Sequence, residues 1–191
     1  MVNYPNKKKN NHYTSMIEGK HNTAHRGMNL EEDINLTNEY YLSHDIAVIH
    51  KKPTPIQIVK VSYPERSSAK IVEAYFRTPS TTDYNGIYKG KYIDFEAKET
   101  KTLSFPFTNI SLHQINHLDK VIHHGGIAFL IIAFTKVNEV YLLDASFMVE
   151  AYRKNDRKSL RYETIKEKGQ GFLPRLHYLE IIDQYYCEVF K

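Results

Sequence analysis

A chain of 191 residues with 41% hydrophobic content is long enough to bury one sizeable core and short for two. Its net charge of +4, from 26 Lys and Arg against 22 Asp and Glu, is too mild to mark a polyanion-binding protein by itself. The single cysteine, Cys187, excludes an intrachain disulfide and a multi-cysteine zinc site and suits a reducing, cytoplasmic compartment.

Residues 1–25 set Lys7, Lys8, Lys9 and Lys20 against Glu18 alone, among many Asn and His, which reads as a mobile basic arm. The first helix pattern is Met28–Leu42, where Leu30, Ile34, Thr37 and Tyr41 recur at helical spacing, Asn29 with Glu32 resembles a capping box, and Glu31 suits the first turn. Ile46–Ile49 reads as a short strand stopped by Lys51-Lys52-Pro53-Thr54-Pro55, and Ile56–Val61 as a second. Ala69–Phe76 fits either a short helix or a strand. Ser80–Thr100 has the pattern of a hairpin, followed by a helix over Leu112–His124 that Gly125-Gly126 ends. The longest apolar run, Ile127–Phe134, falls well short of the roughly 18 residues of a membrane span and reads as a buried strand. Val140–Leu143 reads as its neighbour across a turn, and Ala145–Tyr152 as a helix. A basic polar segment, Arg153–Lys168, leads to a last helix carrying Leu176, Leu179, Ile182 and Tyr186. The expectation is one α/β domain over 26–191, a mixed β-sheet flanked by helices.

The chemistry concentrates in the hairpin. Alternation along Lys91–Thr100 puts Ile93, Phe95 and Ala97 on one face and Tyr92, Asp94, Glu96 and Lys98 on the other. A two-residue turn at Lys89-Gly90 would set Asp83 opposite Glu96 and Thr81 opposite Lys98. Asn85-Gly86 is the better intrinsic turn and would instead pair Asp83 with Tyr88. In the first register two opposed carboxylates call for a neutralising cation. Mg²⁺, with its taste for oxygen ligands and retained waters, suits them, with a lysine beside it to offset negative charge at a phosphodiester. His113 and His117 have the spacing of a helical zinc pair but lack the HExxH pattern and do not point to zinc. Asp94 reads as a support to the site or a solvent-facing acid. The run Arg153, Lys154, Arg157, Lys158 and Arg161 is either a solvated face or a phosphate-contacting patch.

Asp83 followed by Glu96-Ala97-Lys98 resembles the PD-(D/E)xK nuclease signature, with Thr82 in place of the usual proline. Longer strings are more specific: His50-Lys51-Lys52-Pro53-Thr54-Pro55, Ser80–Gly90 and Tyr92–Lys101 resemble the RecU family of Holliday junction resolvases, a similarity running from Arg26 to the last helix. That resemblance implies a nuclease core with a protruding stalk at about 51–76, the match being loosest within Ser62–Val72. It implies a cytoplasmic, nucleoid-associated homodimer that makes paired symmetric incisions in four-way DNA junctions with Mg²⁺ or Mn²⁺. Carried over by motif, Thr81, Asp83, Glu96 and Gln114 would bind metal, and Lys98 would stabilise the transition state. Lys52, Arg66, Lys70 and Tyr75 would contact DNA, and Arg26 would contact the RecA recombinase. From the residues alone Gln114, three after Ser111, reads as a capping-box glutamine, and the ligand role comes from the resemblance. In the wider nuclease superfamily a first-helix glutamate often joins the site, so Glu31 is either a further site residue or a dipole-compensating one. Two other functions compete: a nuclease of the same superfamily acting on linear DNA, and a non-catalytic junction-binding module that recruits a recombinase.

Overall fold

The computed structural model describes residues 29–64, 68–77, 81–154, 156–172, 176–186 and 188, so the expected basic arm, Arg26, Arg66 and Cys187 lie outside the described residues. Helix α1 (Leu30–Ser43) is followed by strands β1 (Val48–Lys51), β2 (Ile56–Ser62), β3 (Lys70–Phe76), β4 (Tyr84–Tyr88), β5 (Lys91–Thr100) and β6 (Ser104–Pro106). Then come α2 (Leu112–His123), β7 (Ile127–Phe134), β8 (Glu139–Asp144), α3 (Ala145–Lys154), β9 (Ser159–Arg161), α4 (Tyr162–Lys168), β10 (Gln170–Gly171) and α5 (Tyr178–Tyr185). Asn29 opens α1 by accepting the Glu31 N–H at 3.1 Å, while Glu99 reaches over from β5 to accept that of Leu30 at 2.8 Å. Two otherwise orphaned helix donors are thereby satisfied.

A six-stranded sheet runs in the order β1-β4-β5-β7-β8-β10. Only β5 and β7 are parallel, and α2 makes the crossover that a parallel pair requires. Every residue of β7 is buried, as its unbroken apolar sequence demands of a strand covered on both faces. On one face Ile93, Phe95, Ile127, Phe129 and Ile131 pack with Leu30 and Ile34 of α1 and Tyr178, Leu179 and Ile182 of α5. On the other, Ala128, Leu130, Ile132 and Phe134 pack with residues of α2, α3 and α4. The architecture is the expected α/β one, a mixed sheet between two helical layers.

The hairpin turns at Lys89-Gly90, where both residues have positive φ, 47° and 75°, and pairing runs from Tyr88↔Lys91 to Tyr84↔Phe95. Asn85-Gly86 lies inside β4 because β1 passes across it. A Cβ on Gly86 would stand 2.0 Å from the Val48 carbonyl oxygen, so the glycine permits a close backbone approach and makes no turn. Residues 70–76, open between helix and strand, form β3, which pairs antiparallel with β2 in a separate two-stranded sheet. This hairpin occupies the segment expected as the stalk, and nearly all its side chains are exposed on both faces. The basic segment 153–168 holds the unforeseen strand β9, paired with β6, and the short helix α4.

Candidate active site

Backbone pairing between β4 and β5 stops at Tyr84, and the chain just before it bends so that Asp83 closes on β5 by other means. Its backbone N–H donates to Glu96 Oε2 at 3.1 Å, and its own Oδ2 accepts the Ala97 N–H at 3.3 Å. The two carboxylates are thus cross-tied. Lys98 forms an ion pair with Glu96 Oε1 and stands 3.8 Å from Asp83 Oδ2, so one ammonium serves both acids. Thr81 lies half-buried two residues before Asp83 in the same bend.

Alternation sends Glu96 to the face of β5 covered by α2, where it is wholly buried. Gln114 Nε2 donates to Glu96 Oε1 at 2.5 Å, while its Oε1 accepts from the Ser111 N–H at 3.0 Å and Ser111 Oγ at 2.9 Å. Ser111 Oγ in turn accepts the Gln114 N–H, completing a capping box. The cap that opens α2 and the contact to the acidic pair therefore share one side chain. The part played by Ser111 carries no sequence signal beyond the cap itself.

Burial pushes the Glu96 carboxyl up to about 7; Lys98 opposes the rise and Asp83 adds to it. Its folded value exceeds the ordinary 4.5, so the folded chain holds an extra proton between those two values. Stability of the metal-free protein should accordingly fall as pH rises through that window. A cation held by Glu96 would have to displace this proton below about pH 7, so Mg²⁺ affinity is expected to drop there by up to about tenfold per unit. Calorimetric Mg²⁺ titrations across that range would register the slope, and a pH-independent affinity would contradict it.

The donor set fits a hard divalent ion. Asp83 and Glu96 offer carboxylate oxygens to a position where an ammonium is already stabilised, and buried Glu96 requires positive charge beside it to ionise. Two carboxylates are the ligand number with which Mg²⁺ is commonly held, since it keeps waters and takes substrate phosphate as further ligands.

The remaining expected residues are scattered. Glu31 opens α1 with its carboxylate paired to Lys51, and is not tied to the acidic pair. Lys70 and Tyr75 are exposed on the β2–β3 hairpin, the Tyr75 hydroxyl donating to Glu73 at 3.0 Å. Lys52 points inward, its Nζ donating to Asp94 Oδ2 and Thr82 Oγ1, each at 2.8 Å. Asp94 faces neither solvent nor the acidic pair: it is fully buried and ringed by Lys52, Thr82, Tyr92 and His117. Of the basic run, Arg153 pairs with Asp119 and Lys154 with Glu150, while Arg157, Lys158 and Arg161 are exposed.

Residues 25–184 match the family described as recombination protein U, RecU. The chain is 54% identical to the Holliday junction resolvase RecU of Bacillus cytotoxicus over 196 residues, covering 97% of this chain and 98% of that protein. It is equally identical to the protein of the same name from Bacillus thuringiensis strain Al Hakam, over 198 residues and the same shares of each chain. Among solved structures it is similar to Archaeoglobus fulgidus Hjc, a Holliday junction resolvase, with 11% identity, a TM-score of 0.43, and coverage of 75% of this chain and 93% of that one. That last similarity is too remote to carry an inference.

Proposed function

The chain belongs to the RecU family, and from that membership and its cross-tied acidic hairpin we propose a structure-selective endonuclease that resolves four-way DNA junctions in recombination and repair. The observation that carries the reading is the set Asp83, Glu96 and Lys98, two carboxylates sharing one ammonium at the end of a hairpin. Asp83 and Glu96, with Thr81 and Gln114, would hold Mg²⁺ or Mn²⁺. When bound, such an ion polarises a phosphodiester oxygen and lowers the pKa of a water for in-line attack. The Ala97 N–H fixes Asp83 and the Gln114 amide orients Glu96, so neither carboxylate has to be organised during the reaction. Lys98 offsets the negative charge that gathers on the phosphate as the P–O bond to the leaving strand breaks.

Lys70 and Tyr75, on the exposed hairpin, would contact the junction, as would Arg66. Paired symmetric incisions need two such sites, which a homodimer supplies, and Arg26 would contact the RecA recombinase. A chain so employed would be cytoplasmic and nucleoid-associated. No helix among the described residues is long and apolar enough to cross a membrane. Purified protein with Mg²⁺ is expected to cut a four-way junction at symmetric positions and to leave linear duplex of the same sequence largely intact. Equal cleavage of both would favour a nuclease for linear DNA, and no cleavage of either would leave a binding module.

A further inference from the structure

The β2–β3 hairpin leaves the body through Lys52-Pro53-Thr54-Pro55, and the chain returns at the 81–83 bend that carries Thr81 and Asp83. At its base the Arg77 N–H donates to the Pro55 carbonyl at 2.9 Å. Lys52 spans the departing and returning segments. Its backbone N–H donates to the Asp83 carbonyl at 2.8 Å, and its ammonium donates to Thr82 Oγ1 and Asp94 Oδ2. Thr82 Oγ1, between Thr81 and Asp83, in turn donates to Asp94 Oδ1.

Asp94 is a built anchor. It is fully buried two residues before Glu96 on the same face of β5, and it also accepts from the Tyr92 hydroxyl at 2.7 Å, with His117 Nε2 of α2 at 3.1 Å. Tyr92 is itself held by the Asn85 amide at 3.2 Å. A buried carboxylate ringed by partners from four separate segments persists only if each is held in place, so the network is rigid where it grips Lys52 and Thr82.

We infer that Lys52 and Asp94 form a positioning clamp that ties the base of the exposed β2–β3 hairpin to Asp83 and so holds Asp83 in place beside Glu96. The inference rests on the nuclease reading and goes beyond it by assigning Lys52 to the alignment of the site and not to a DNA phosphate. The two roles leave different signatures. A phosphate contact governs affinity and its salt dependence. A clamp governs the rate at saturating DNA, because a misplacement of about 1 Å can cost about 10²-fold.

The test uses the full chain with Lys52→Met, which keeps the aliphatic stem and the backbone N–H, together with Thr82→Val and Lys52→Arg. Junction affinity without divalent ion should stay within about twofold of wild type at every salt concentration. Single-turnover cleavage at saturating enzyme should fall by about 10- to 100-fold in Lys52→Met and less in Thr82→Val, with partial rescue in Lys52→Arg. The midpoint of a calorimetric Mg²⁺ titration, read without DNA, should rise by about tenfold in Lys52→Met. Wild-type cleavage rate and Mg²⁺ midpoint in Lys52→Met, with weaker and less salt-dependent binding, would overturn the clamp in favour of a phosphate contact. If Lys52→Met is poorly folded by circular dichroism, Thr82→Val decides by the same readouts, and an unaltered rate and midpoint there would also overturn it. Absence of junction cleavage by wild type would instead sink the nuclease reading, and the calorimetric midpoint would still judge the clamp.

Discussion

Asp83→Ala is expected to bind a four-way junction about as tightly as wild type and to cut it on the order of 10³-fold more slowly or worse, since in the proposed site it forfeits a metal ligand and with it several kcal/mol at the reacting centre. Asp83 contributes the Oδ2 that the Ala97 N–H holds and that faces Lys98. Its removal leaves Glu96 as the sole acid beside that ammonium and opens half the cradle. Binding should survive because phosphate contacts spread over the surface dominate affinity for DNA, and removing a negative charge near the scissile phosphate does not weaken them. Gel-shift assays in the absence of divalent ions and single-turnover cleavage in Mg²⁺ separate the two effects. Unchanged cleavage would refute Asp83 as a site residue.

The largest expected effect on stability lies one residue from the site, on the opposite face of the same strand. Phe95 is fully buried, stacked against Tyr84 at 4.8 Å and Phe129 at 4.7 Å between ring centroids, with Tyr178 at 5.2 Å. Phe95→Ala opens a cavity where α5 and β4 meet the sheet, and should cost about 3–5 kcal/mol. For a chain of this size that lowers the melting temperature by roughly 10 °C. Phe95→Leu, which retains most of the volume, should recover much of the loss. A thermal melt of Phe95→Ala within about 2 °C of wild type would show that the stack is not what holds β5.

The strand that bears Phe95 and Glu96 was legible in the sequence because alternation is a local property. The side facing α1 and α5 reads Ile93, Phe95, Ala97, and the polar side reads Asp94, Glu96, Lys98. The register was not decided locally. Asn85-Gly86 has the better turn chemistry, yet a tertiary demand, room for the Val48 carbonyl, claims Gly86 for the strand. The β6–β9 pair escaped notice for a similar reason. Each strand has three residues, too few for any period to emerge, and only Phe105 opposite Leu160 gives them a buried anchor. Asp94 shows the limit most clearly. Its partners Lys52 and His117 lie 42 and 23 positions away, and nothing in an alternating strand separates an acid bound for such a node from one bound for water.

The β2–β3 hairpin shows both its faces to solvent, with Ile58, Val59, Ile71, Val72, Tyr75 and Phe76 all at least 49% exposed. A lone pair of strands adds little to global stability, so most substitutions along it cost the body almost nothing. Selection for foldedness is therefore blind over this stretch, and only what the arm touches can discipline its sequence.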